Sequence, residues 1–183
     1  MDHHESAEPS QWVRRFAALI APEGRVLDLA CGKGRHVRYL QSLGYKVTAV
    51  DRDAAALEPL RSLENVNVYV ADIETGPWPF APEHFDGIVV TNYLHRLLFP
   101  HLIASLRQGG VLIYETFGAG NERFGPPSNP HFLLQPGELL ASVAPALGVV
   151  AFEQGLIAKP KPAMVQRICA VKAREWVPLD RPE

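Results

Sequence analysis

The feature that most narrows the folds open to this chain is the run Arg25-Val26-Leu27 followed by Asp28-Leu29-Ala30-Cys31-Gly32-Lys33-Gly34-Arg35. The first three residues read as a short apolar strand. After the glycines, residues 36–43 read as a helix stopped by Gly44. Strand, glycine turn and helix in that order form the phosphate- or nucleoside-binding corner of a doubly wound α/β sheet. Gly32 and Gly34 let the backbone approach a ligand closely, and the helix start behind them offers free N–H groups and partial positive charge.

The ligand is decided by what departs from the dinucleotide pattern. That fingerprint requires Gly-x-Gly-x-x-Gly, and Val37 occupies the third glycine position here. Asp28, an acid at the end of the strand, repels an anion at that helix start and attracts a ligand with a cationic centre and an amino group. S-adenosylmethionine has both, a sulfonium and an α-ammonium. Residues 26–34 resemble the first motif of the class I S-adenosylmethionine-dependent methyltransferases, hydrophobic-Asp/Glu-x-Gly-x-Gly-x-Gly, with Ala30 in place of the first glycine. The resemblance implies that Asp28, Ala30, Cys31, Gly32, Gly34 and Arg35 contribute to a cofactor site.

Strand ends further along extend the pattern. Residues 46–50 read as a second strand ending at Asp51, 17 residues beyond Gly34. A carboxylate there offers two acceptor oxygens to the two hydroxyls of a ribose. Asp53 suits the N-cap of the helix that Ala54 begins, Pro59 shortens that helix, and Arg52 is placed to lie beside an adenine. A third strand, residues 66–70, runs into Ala71-Asp72-Ile73. The resemblance implies that Asp72 accepts from the adenine amino group and that Ile73 packs on the ring. A turn residue is the alternative for Asp72. The phrase His84-Phe85-Asp86-Gly87-Ile88-Val89-Val90 also resembles the family, with Asp86 structural, and the fourth strand ends at Thr91-Asn92-Tyr93-Leu94-His95. By the resemblance this tip faces the transferable methyl group, which brings Asn92 and Tyr93 into the site. No proline pair follows Asn92, so methylation of base amino groups is not supported.

A helix starting near Pro100 is expected to turn Leu102, Ile103 and Leu106 to the sheet and to stop at Gly109-Gly110, before a fifth strand over residues 111–117. Residues 118–135 form a long segment rich in Gly, Pro, Asn, Arg, His and Phe, read as a lid over the substrate. This segment, with a helix over 136–144 behind it, resembles the tellurite-resistance-type small methyltransferases. Strands over 148–154 and 165–171, joined through Lys159-Pro160-Lys161-Pro162, give a closing hairpin. The expected fold is therefore a three-layer α/β/α sandwich whose seven-stranded, mostly parallel sheet is ordered 3-2-1-4-5-7-6. A thiolate or selenide acceptor needs no general base. For an oxygen or nitrogen acceptor, Glu115, His95 and His131 are the candidates in that order.

The leading segment reads as a helix capped by Ser10, with Trp12, Val13, Phe16, Ala17 and Ile20 on its buried face. The chain of 183 residues fits one domain, with a core over about 10–172 and residues 180–183 frayed. Net charge of −2 gives no electrostatic reason to expect nucleic acid. Cys31 and Cys169 stand alone, His3 and His4 sit on a polar terminus, and no metal site is expected. No apolar run is long enough for a membrane span, and a cytoplasmic monomer or weak homodimer acting on a small-molecule acceptor is the expectation. Two rival classes remain at this stage: a nicotinamide-dependent oxidoreductase and a non-catalytic S-adenosylmethionine-binding module.

Overall fold

The computed structural model describes residues 8–173, so the expectations for His3, His4 and residues 180–183 lie outside the described residues. Seven strands form one sheet: β1 Arg25–Leu29, β2 Lys46–Asp51, β3 Val66–Val70, β4 Phe85–Thr91, β5 Leu106–Phe117, β6 Gly148–Ile157 and β7 Ala163–Val171. Their order is β3-β2-β1-β4-β5-β7-β6. β1 to β5 pair in parallel, and β7 inserts antiparallel to both β5 and β6. That inserted strand separates this topology from a plain dinucleotide fold.

Helices cover both faces, as strands with long apolar runs require. α1 (Gln11–Phe16), α2 (Arg35–Ser42) and α3 (Ala54–Leu57) lie over Val26, Val47, Ala49, Val89, Val111 and Ile113. α4 (Phe99–Ser105) and α5 (Glu138–Val143) lie over Leu27, Leu29, Ile88, Val90 and Leu112. Local chemistry sets the ends. The Ser10 hydroxyl accepts from the Trp12 N–H at 3.1 Å, Asp53 accepts from Ala55 and Ala56, and Gly44 turns α2 off at φ 88°.

Several boundaries differ from the sequence reading by a few residues, and two of them matter for the architecture. β1 runs through Leu29, which puts Asp28 inside the strand and not at its tip. Gly109-Gly110 do not stop α4: Leu106 is already extended and pairs with Phe85, so the glycines form a kink within β5, with Gly109 at φ 77°. A Cβ on Gly110 would stand 2.9 Å from the Arg107 carbonyl, so that kink has no room for a side chain.

Candidate functional site

The carboxyl ends of the parallel strands open into a cavity of about 400 Å³. Ala30 after β1 and Asn92 after β4 stand side by side on its wall, and both hold left-handed backbone, at φ 53° and 56°. Such conformations cost roughly 1 kcal/mol each for residues with a Cβ and collect at functional sites. Ala30 occupies the position where the related motif places glycine, and its φ supplies the reason.

β2 delivers Asp51 to the same wall. Its Oδ2 accepts from the Gly32 N–H at 2.8 Å and its Oδ1 from the Asp53 N–H at 3.0 Å. Each oxygen therefore holds one backbone donor and keeps lone-pair capacity for a ligand. Arg52, Ala71, Asp72 and Ile73 continue the wall. Asp72 is the turn residue that the sequence allowed, and it also stands on the cavity wall. It closes the turn by accepting from the Glu74 N–H at 3.0 Å and the Thr75 hydroxyl at 2.9 Å. The Glu74 N–H, then the Thr75 hydroxyl, hold its carboxyl below the usual range. Tyr93 donates to Glu74 Oε1 at 3.2 Å, and burial, reinforced by the Glu74 charge, pushes its phenol upward.

The remaining expected cofactor residues sit behind the wall. Cys31 is buried, and its N–H donates to the Val50 carbonyl at 3.0 Å, hanging the loop on β2. At Gly34, with φ 77°, an added Cβ would stand 2.6 Å from both Leu60 δ-carbons. This glycine permits tight packing of the loop on the Glu58–Leu60 turn and is not itself on the cavity wall. Arg35 reaches the Glu8 carbonyl at 3.5 Å.

Asp28 departs furthest from expectation. It is 1 % exposed beneath the glycine loop and off the cavity wall, and its carboxyl makes no well-formed hydrogen bond, the Val37 N–H being a weakly placed backbone donor beside it. Burial raises its pKa to about 8 against the opposing Arg35 charge. The carboxyl is thus neutral around pH 7 until a positive charge comes near. A buried, poorly partnered acid directly beneath a glycine loop is the kind of group that a cation arriving at that loop would stabilise.

None of the three base candidates lines the cavity. The β4 register sets Glu115 opposite Thr91, and strand alternation turns it to the α1 face while Thr116 faces the cavity. There Glu115 accepts from the Ser10 hydroxyl at 2.7 Å and pairs with Arg167 at 3.3 Å. Arg167 in turn lies 4.8 Å over the Trp12 ring and bonds Glu153 at 2.6 Å. His36 joins this layer, accepting from the Ser10 N–H at 3.1 Å, with burial pushing its pKa down to about 3. His95 precedes the Arg96–Leu98 turn, half-buried and off the wall. His131 is exposed, and its carbonyl accepts from Arg96 at 2.8 Å.

The segment after β5 does reach the cavity. Pro127 and Phe132 line it, together with Phe117. Buried Asn121 donates to the Gly125 and Pro127 carbonyls, and its Oδ1 accepts from the Met164 N–H at 3.2 Å. Arg96 clamps the far end of the segment: it pairs with both Glu138 oxygens, at 2.5 and 3.0 Å, and donates to the carbonyls of His131 and Leu133. The sequence reading missed Glu74, Leu94, Thr116 and Phe117 as wall residues. Among the described residues no cluster suits a metal ion, and no helix is long and apolar enough to cross a membrane.

Comparison with known proteins follows the same outline. Residues 26–110 match the model of a methyltransferase domain. The probable S-adenosyl-L-methionine-dependent methyltransferase TehB of Haemophilus influenzae is 36 % identical over 100 residues, half of this chain and 34 % of the relative. This chain thus spans about a third of that relative's length. The TehB crystal structure from Haemophilus influenzae superposes with a TM-score of 0.73 at 22 % identity, covering 93 % of this chain and 64 % of that one. The 1,6-didemethyltoxoflavin-N1-methyltransferase of Burkholderia thailandensis, crystallised with S-adenosylhomocysteine, gives a TM-score of 0.69 at 22 % identity, covering 93 % and 80 %.

Proposed function

We propose that the chain is a class I S-adenosylmethionine-dependent methyltransferase that transfers a methyl group from S-adenosylmethionine to a small-molecule acceptor, a reading supported by the methyltransferase-domain match over residues 26–110 and the likeness to TehB. The observation that carries this reading is Asp51. Its carboxylate is fixed at the β2 tip by the Gly32 and Asp53 amides and faces the cavity with a spare lone pair on each oxygen, an arrangement matched to a ribose diol. Arg52, Ile73 and Asp72 supply the face and edge contacts an adenine needs, and Ala30 and Asn92 bound the middle of the cavity. Asp28, under the loop, lowers its pKa and takes negative charge when an ammonium approaches.

When bound, the sulfonium supplies an already activated methyl group. The protein then has to hold the acceptor's nucleophile in line, and orientation alone lowers such a barrier by roughly 7–11 kcal/mol. The parallel strand ends form most of the wall, and the 118–135 segment adds Pro127 and Phe132 to it. The inserted antiparallel strand and Val37 speak against the nicotinamide alternative. Calorimetry tests the reading: S-adenosylmethionine should bind and NAD should not. Asp51→Ala should weaken binding by about 1–3 kcal/mol, the scale of lost charge-assisted hydrogen bonds. Equal affinity of variant and parent would remove Asp51 from the site.

A further inference from the structure

We propose that the acceptor is a small apolar thiol, methylated on sulfur without a protein base; the inference rests on the methyl-transfer reading above. The cavity has two chemically different ends. Asp51, Arg52, Asp72 and Glu74 gather at the β2 and β3 tips, and Tyr93 leans toward them to bond Glu74. β5 lies three strands away from β2 in the sheet, about 14 Å at the usual strand spacing. At that end the wall is Thr116, Phe117, Pro127, Phe132 and Leu94, with one hydroxyl and no charge. The adenosyl contacts belong to the charged end, so the apolar end receives the acceptor.

Three consequences follow from that end's composition. Among the described residues it has no cation to hold an inorganic oxyanion, whose several strongly hydrated oxygens are costly to desolvate there. It also has no base among the described residues: Glu115 is turned beneath the sheet and tied to Ser10 and Arg167, and His95 and His131 are off the wall. Alkylamines and phenols, largely protonated at neutral pH, would need one, whereas a thiol with a pKa near 8.5 or below ionises appreciably in solution. Finally, a thiolate and a sulfonium cancel their charges on reaction, which a low-dielectric surrounding favours; a neutral ring nitrogen would only relocate the positive charge. In the step, the thiol proton leaves to solvent first. The thiolate sulfur then forms a bond to the methyl carbon, whose bond to the sulfonium sulfur breaks with its electron pair retained there. The products are a methyl thioether and S-adenosylhomocysteine.

The test is formation of S-adenosylhomocysteine by the full chain with thiophenol and ring-substituted thiophenols, against phenol, aniline, pyridine, selenite and tellurite. Thiols should be the preferred acceptors, with kcat/KM rising with pH along each thiol's own ionisation. Phe132 is half exposed, so Phe132→Ala is expected to fold. It should raise KM for thiophenol about tenfold while leaving KM for the methyl donor unchanged, and Phe117→Leu serves as the second variant. Preference for pyridine, an amine or an oxyanion, or a pH profile independent of the thiol, would overturn the proposal. Donor binding by calorimetry with no thiol turnover would overturn the thiol assignment alone. No donor binding at all would overturn both this inference and the function beneath it.

Discussion

Asp28→Asn isolates the most unusual charge state in the molecule. The carboxyl has a pKa of about 8 in the folded chain against 3.8 for the free group, because burial disfavours its anion. Below pH 3.8 both folded and unfolded chains hold the proton, and the group's stabilising contribution is complete. As pH rises the unfolded chain releases its proton first, so stability falls until the folded form also ionises at about 8. Each pH unit inside that window removes ~1.4 kcal/mol. From pH 5 to pH 8 the loss is therefore about 4 kcal/mol, or about 8–16 °C in Tm for a chain of this size. Asn has nearly the same shape and cannot ionise. The assay is thermal unfolding of parent and variant, without ligand, at pH 5, 6, 7 and 8. The difference between them should grow with pH in favour of the variant, any fixed penalty for the amide being the same at every pH. A difference that stays constant across the series would show that Asp28 is already ionised at pH 5 and refute the reasoning.

Arg96→Ala should free the 130–133 stretch by removing four hydrogen bonds; with Arg96 partly exposed, about 1–3 kcal/mol is expected, read as a lower Tm and faster proteolysis within 118–135. KM for the acceptor should rise while donor affinity holds. Glu138, kept below the usual carboxylate range chiefly by its Arg96 bond, makes this clamp present above that range and lost as pH falls through Glu138's lowered pKa. Glu115→Gln should lower Tm, through the lost Arg167 pair, and leave the shape of the pH–rate profile intact. A general base would cost 10²–10⁴-fold in rate when removed, so a drop of that size would return Glu115 to the chemistry.

Much of this architecture was legible because local signals agreed. Glycines at 32, 34 and 44 bracket α2, acids mark the β2 and β3 tips, and two terminal strands around a Pro-rich turn announce the hairpin. Glu115 was misread for a definite reason. The run Val111-Leu112-Ile113-Tyr114-Glu115-Thr116-Phe117 is covered on both sides, so it has no alternation from which to tell which face each residue takes. Only the register against β4, Thr91 opposite Glu115, decides it. Asp28 was placed at a strand tip because the strand's last pair, Leu29 with Val50 and Val90, lies across chain segments no local pattern connects. Glu74 looked like any surface acid two residues past Asp72; only the approach of Tyr93 from another strand gives it a partner. Phe132 and Pro127 were foreshadowed by the length and content of their segment, although which of its residues would touch the cavity was not.

The seat of α1 has an implication for how the polypeptide matures. The Trp12 indole N–H donates to the Ile168 carbonyl at 3.1 Å across 156 residues, and Ser10 joins α2 and β5 in the same turn. On a ribosome the helix emerges early and its landing place late. For most of translation Trp12, Val13 and Phe16 have no finished surface to cover. Seating the helix is a loop closure across 156 residues, the kind of long-range event that sets slow folding rates. A turn made before its partners is thus locked only after them.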